Sequence, residues 1–155
     1  MRLCLFRSAC PPCLITAILV VSACTAAPPA TVHVIANDYA FTTPEEVRAG
    51  PVTFTLENRG AKLHELFIGL LRPGTTVAQI TDAHQKGIGF RQLPDVYLDG
   101  EPGVALMAWP GKTSPARVTL DLARGRSYIL FCQLRDSIGS PQHAALGMFR
   151  LLRVD

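Results

Sequence analysis

Residues 126–154 read RSYILFCQLRDSIGSPQHAALGMFRLLRV. Arg126–Cys132 is an apolar strand that runs directly into a cysteine. Ten residues rich in turn formers then separate Cys132 from His143, and four more separate His143 from Met148. Met148–Val154 reads as a closing strand. A β-rich apolar run, a polar loop and a second apolar run describe two strands meeting at one end of a sheet. Cysteine, histidine and methionine all fall in the turn region between them.

Working outward, the same period-two grammar recurs. Ala116–Leu122 (ARVTLDL) alternates, and His64–Leu71 (HELFIGLL) is more continuously apolar. Pro51–Asn58 (PVTFTLEN) puts Val52, Phe54 and Leu56 on one face and Thr53, Thr55 and Glu57 on the other, with Gly50-Pro51 and Asn58-Arg59-Gly60 as punctuation. Thr31–Ala36 alternates around Val32 and Val34, and Gly103–Trp109 reads as a further strand. Residues 72–101 break the rhythm. Thr76–Lys86 (TVAQITDAHQK) spaces Val77, Ile80 and Ala83 as a helix does, and Gly87 is placed to stop it. Residues 88–101 read as loop. Short strands between turn signals, with one small helix around residues 76–86 and no internal repeat, predict an all-β, antiparallel Greek-key sandwich.

The first 23 residues stand apart. Arg2 and Arg7 precede an eight-residue apolar run, Leu14–Val21, too short to span a bilayer and suited to a signal peptide. It ends in Val21-Ser22-Ala23-Cys24, which resembles the lipobox of bacterial lipoproteins, with Val21 where Leu is usual. That resemblance implies cleavage before Cys24 and lipidation of its sulfur; an ordinary secretory cut near Ala26-Ala27 is the competing reading. The expected organisation is a signal peptide over 1–23, a lipid-anchored tether over 24–30 (CTAAPPA) and one folded domain over 31–155. Without Arg2 and Arg7 the basic residues fall from 15 to 13 against 12 acidic ones, a net charge of +1. With no polybasic run and no stacked-aromatic pattern, nucleic acid is not an expected partner. Membrane attachment is expected through the N-terminal lipid. Cys4, Cys10 and Cys13 leave with the signal. Cys132 is then a lone thiol in an oxidising compartment, where cysteines usually pair. Burial as a small hydrophobe explains it, and so does metal ligation.

An upstream His64, preceded by Asn58 and Gly60, followed far downstream by Cys132, His143 and Met148, resembles the ligand order of the cupredoxins, the type 1 or blue copper proteins. The resemblance covers roughly residues 31–155. The His143–Met148 gap matches the plastocyanin-like branch. The ten-residue Cys–His gap is longer than in the best-known members and, with His64-Glu65, resembles a group of small exported cupredoxin-like proteins. It implies a cupredoxin-like sandwich binding one copper ion, with His64, Cys132 and His143 as strong ligands and Met148 as a weak fourth. A thiolate, two imidazoles and a long thioether contact serve both copper oxidation states. It also implies that Glu65 ties the two ligand segments together, where Asn is more usual, and that its carboxylate lowers the reduction potential. Asn58 is a further expected supporting residue.

Each residue has a plainer reading taken alone. A histidine at a strand start is more often a satisfied polar residue, a cysteine ending an apolar strand is more often core, and a methionine in a last strand is packing. Met107 is an alternative axial contact, and with Trp109 reads as core or site rim. His33 and His84 match no ligand position and read as surface residues. The resulting expectation is a binding or electron-transfer protein, not an enzyme, working with a redox or copper-delivery partner in the cell envelope. Four histidines with no His-x-His pair cannot build a multicopper oxidase. Two other classes stay open: a thiol enzyme using Cys132, which would want a helix N-terminus or an exposed cationic pocket, and a copper-free cupredoxin-like interaction module.

Overall fold

The computed structural model describes residues 28–101, 103 and 105–155. The expected signal, the cleavage site, Cys24 and most of the tether lie outside these residues. Among the described residues nine strands form two sheets: β1 (Ala30–Asn37), β2 (Ala40–Thr42), β3 (Glu46–Val47), β4 (Gly50–Asn58), β5 (His64–Leu70), β6 (Leu106–Ala108), β7 (Val118–Leu122), β8 (Ser127–Phe131) and β9 (Phe149–Val154). One sheet has the order β2-β1-β4-β7 and the other β3-β9-β8-β5-β6. The sandwich is the predicted fold class, although its pairing is mixed. β1 and β4 run parallel, as do β3 and β9, while the remaining pairs are antiparallel. The reason is a crossover. After β1 the chain returns along the sandwich through β2 and β3, so β4 starts at the end where β1 started and Ala30 faces Val52.

Alternation builds the core. Val32, Val34, Ala36, Val52, Phe54 and Leu56 face inward from one sheet, and Leu66, Ile68, Leu130, Leu152 and Val154 from the other. The more continuous apolar character of β5 and β8 has a different cause. Strands covered on both faces lose the polar half of the alternation. In β8, Leu130 joins the central core, while Ile129 and Phe131 turn outward into a second apolar cluster.

The chain between β5 and β6 covers that outer face. Helix α1 (Val77–Gln85) matches the expected span. Thr76 caps it, with Thr76 Oγ1 accepting from the Gln79 N–H and Gln79 Oε1 accepting from the Thr76 N–H, a reciprocal capping box. Residues 88–101 are not plain loop: a 3₁₀ turn, Phe90–Gln92, leads into α2 (Leu93–Val96). Leu93, Tyr97 and Leu98 are wholly buried with Ile80 and Ala83 against the sheet. A four-residue helix is too short to show a period, which is why the sequence reads as loop.

Two surface assignments divide. His33 is exposed, with Nδ1 2.9 Å from Thr55 Oγ1. His84 is buried, contrary to expectation, because the face of α1 that carries Ile80 and His84 is the face laid on the sheet. Its Nε2 lies 2.9 Å from the Tyr97 hydroxyl, and its ring packs near Phe131 and Phe149. Met107 and Trp109 are not core: they are 46% and 67% exposed, on and just after edge strand β6.

Candidate metal centre

The start of β5, the residue following β8 and a short 3₁₀ turn, His143–Leu146, meet at one end of the sandwich. They deliver His64, Cys132 and His143, all buried. Cys132 Sγ and one nitrogen of each imidazole lie within 4.8 Å of one another. Cys132 Sγ is 3.4 Å from His143 Nδ1, and the two imidazoles meet edge to face at 5.1 Å. Among the described residues Cys132 is the one free cysteine.

The ten-residue Cys–His gap does not loosen this arrangement. The His143 N–H donates to the Leu134 carbonyl and the Ala144 N–H to the Cys132 carbonyl, 2.8 Å each, so the loop is pinched shut at its base. Residues 135–141 form a side lobe with its own turn, in which the Ser137 N–H donates to Ser140 Oγ. The 3₁₀ turn then ends at Gly147, whose φ of +100° is left-handed and suits glycine. Met148 follows at once, wholly buried. Its N–H donates to the His143 carbonyl, and its carbonyl accepts from the Cys132 N–H at 3.2 Å. The backbone of Met148 is therefore stapled to both neighbours in the cluster.

Glu65 spans the two ligand segments. Its Oε1 accepts from the Gln133 N–H at 3.0 Å, although the residue starts from β5. Burial raises the Glu65 carboxyl above the usual range, opposed by the N–H groups of Gln133 and Leu134. The Cys132 thiol is pushed up to about 12 by burial, while the N–H groups of Glu65 and Leu134 act in the opposite direction. Asn58 makes no hydrogen bond to any of the three clustered residues. It shapes the loop that leads to His64: its Nδ2 donates to the Lys62 and Ala108 carbonyls, and its Oδ1 accepts from the Gly60 N–H. Met107, half exposed, does not share the buried cluster.

Sequence reading missed a set of acidic and aromatic partners. Asp38 Oδ1 sits 3.1 Å from His64 Nε2, and Asp136 Oδ1 sits 3.2 Å from His143 Nε2. Tyr39 donates its hydroxyl to Asp136 Oδ2 at 2.5 Å and packs its ring edge to face on His143 at 5.2 Å. Lys62 Nζ stands 3.5 Å from Asp136. Asp38 is raised by burial, but the Ala61 and Lys62 N–H groups and the His64 ring outweigh this and hold it low. Asp136 is held low chiefly by the Tyr39 hydroxyl. Burial lowers His64 below the ordinary imidazole value, against the pull of Asp38. Tyr39 has a left-handed φ of +62°, rare for an aromatic residue. The one available signal was an acidic residue inside the Cys–His loop; nothing periodic marks Asp38.

The donor set suits a metal. His64 Nδ1 is buried and has no hydrogen-bond partner. A thiol and two imidazoles converging on one spot are the donors a soft-to-borderline ion takes. No helix among the described residues is long and apolar enough to cross a membrane.

By sequence, no family model and no curated protein matches the chain. Three auracyanins are among the solved structures that resemble it in shape. Dithionite-reduced auracyanin of the photosynthetic bacterium Roseiflexus castenholzii is 19% identical, with a TM-score of 0.52 over 83% of this chain and 99% of its own. Auracyanin B is 18% identical, with 0.51 over 84% and 92%. Auracyanin A, a blue copper protein of the green thermophilic photosynthetic bacterium Chloroflexus aurantiacus, is 22% identical, with 0.50 over 83% and 100%. The two-sheet sandwich, with its cluster at one end, thus has the fold of the auracyanins, the cupredoxin fold.

Proposed function

We propose that this chain holds one copper ion in a type 1 site and serves one-electron transfer or copper carriage in the cell envelope. One observation carries the reading: His64 Nδ1 is a buried imidazole nitrogen without a partner, in a residue clustered within 4.8 Å of a thiol and a second imidazole. An unsatisfied buried polar atom costs about 1–3 kcal/mol, and a metal–nitrogen bond removes that cost. The blue copper character of auracyanin A adds to the case.

His64, Cys132 and His143 are the strong ligands in this reading, and Met148 is the weak axial one. Bound copper supplies the one-electron couple. The protein supplies a closed pocket, since all four side chains are buried; four protein donors would leave no position open for a substrate, unlike a catalytic metal site. Glu65 locks β5 to the cysteine loop and keeps the donors in register. Because burial holds the Cys132 thiol protonated at neutral pH, metal uptake must release its proton. The same burial and raised pKa disfavour Cys132 as a catalytic nucleophile.

We further infer export as a lipoprotein, with residues 1–23 as signal, Cys24 lipidated, and residues 24–30 tethering the domain 31–155 to the membrane. Support comes from the sequence alone. Copper(II) added to the purified mature protein should produce an intense thiolate charge-transfer band and a blue or green colour. A protein that stays colourless and takes up no copper would overturn the reading.

A further inference from the structure

The geometry points to Asp38 and Asp136 as the positioning residues of the centre: each accepts the Nε2 proton of one histidine and so leaves that ring's Nδ1 as the bare nitrogen for the metal. The inference rests on the proposed copper site and names what aims its two imidazoles.

An imidazole has two nitrogens, and in the neutral ring only one carries a proton. A ligand nitrogen must be the bare one. In a buried ring the choice is set by what the other nitrogen meets. Here His64 and His143 are 0% and 1% exposed, so water does not compete for their N–H groups. Both rings place Nε2 against a carboxylate oxygen, at 3.1 and 3.2 Å. An ionised carboxylate only accepts, so each Nε2 must be the protonated nitrogen. In a neutral ring Nδ1 is then the bare nitrogen. His143 Nδ1 faces Cys132 Sγ at 3.4 Å, and His64 Nδ1 faces no donor at all. The two histidines come from different parts of the chain, and so do the two carboxylates, yet the same arrangement is built twice.

Each carboxylate is itself held. Asp38 accepts the N–H groups of Ala61 and Lys62 in the loop before β5. Gly60 leaves room for the pair: a Cβ there would lie 2.3 Å from Asp38 Oδ1 and 3.0 Å from His64 Nε2. Asp136 is gripped by the Tyr39 hydroxyl, and the Tyr39 ring closes over His143. The lobe of the long Cys–His loop therefore carries Asp136 back to the histidine at the loop's own end, which gives its extra length a use.

The test uses isosteric pairs. Asparagine can still accept from Nε2–H, whereas leucine of similar size cannot. Nitrogen NMR on the metal-free protein should find the Nε2–H tautomer at both histidines in the parent, in Asp38→Asn and in Asp136→Asn. Asp38→Leu should shift His64 toward a tautomer mixture, and Asp136→Leu should do so for His143. Copper(II) titration should then show affinity lowered about 10- to 100-fold in each leucine variant, the range for lost outer-sphere partners. The asparagine variants should stay within a few-fold of the parent. Unchanged tautomers in both leucine variants, or equal loss of affinity in the leucine and asparagine variants, would overturn the assignment. Should a leucine variant fail to fold, the tautomers in the parent decide: an Nδ1–H ring at His64 or His143 there overturns the inference. A colourless parent would instead overturn the copper reading, and the metal-free tautomers would still decide what the carboxylates do.

Discussion

Met148 separates packing from proposed chemistry in one substitution. The side chain is fully buried, and its backbone is stapled to Cys132 and His143. Leucine has a similar volume and keeps those backbone bonds, so Met148→Leu should fold with a loss under about 1.5 kcal/mol. A thioether is a weak axial donor whose main effect is on potential. The variant should therefore keep copper and colour while its reduction potential rises, as voltammetry on the loaded protein would read. Cys132→Ser should lose the intense band even where some copper stays on the histidines. If both variants lost the metal equally, the assignment of Met148 as a weak ligand would fail.

At the scale of elements, α1 is fastened by a buried histidine. His84 is held near 4, well below the ordinary imidazole value of 6.5, because burial penalises its charged form. Its Nε2 meets the Tyr97 hydroxyl. A neutral ring in the fold and a protonatable ring in the unfolded chain give the sign. The unfolded state binds the extra proton below about pH 6.5, so stability falls as pH drops from there toward 4, and rises with pH across the same window. The span of about 2.5 units corresponds to about 3 kcal/mol at most. Urea unfolding at pH 7 and pH 4.5 should show this loss, and His84→Gln should flatten the slope. An unaltered slope in the variant would mean that other groups carry the acid sensitivity.

For the whole molecule, the proposed copper site and the proposed anchor set the expected behaviour. A ligand that binds only the folded state adds stability with concentration, about 2.7 kcal/mol at 100 times its Kd. The parent should melt higher with copper, and His64→Ala should lose most of that gain, because His64 enters from β5, far in sequence from Cys132 and His143. A melting temperature indifferent to copper would count against the entire site. Cys24→Ser should leave the precursor unprocessed or release the protein from the membrane, as fractionation would show. A variant that stays processed and membrane-bound would refute lipidation at Cys24.

The sequence by itself determined the strands with an apolar stripe, the helix that spaces Val77, Ile80 and Ala83 and stops at Gly87, and the chain order His64, Cys132, His143, Met148. These are local signals: period, caps and spacing lie within a few residues of each other, and a resemblance in order needs no distances. Tertiary structure alone decided the rest. The parallel pairing of β1 with β4 depends on where the chain crosses between sheets. Whether His84 is buried depends on which face of α1 meets the outer face of β8 and β9. Asp38 reaches His64 across 26 positions, and Asp136 reaches Tyr39 across 97. Contacts of that separation leave no pattern along the chain, because they are selected by the geometry of two packed sheets and not by any neighbour in sequence.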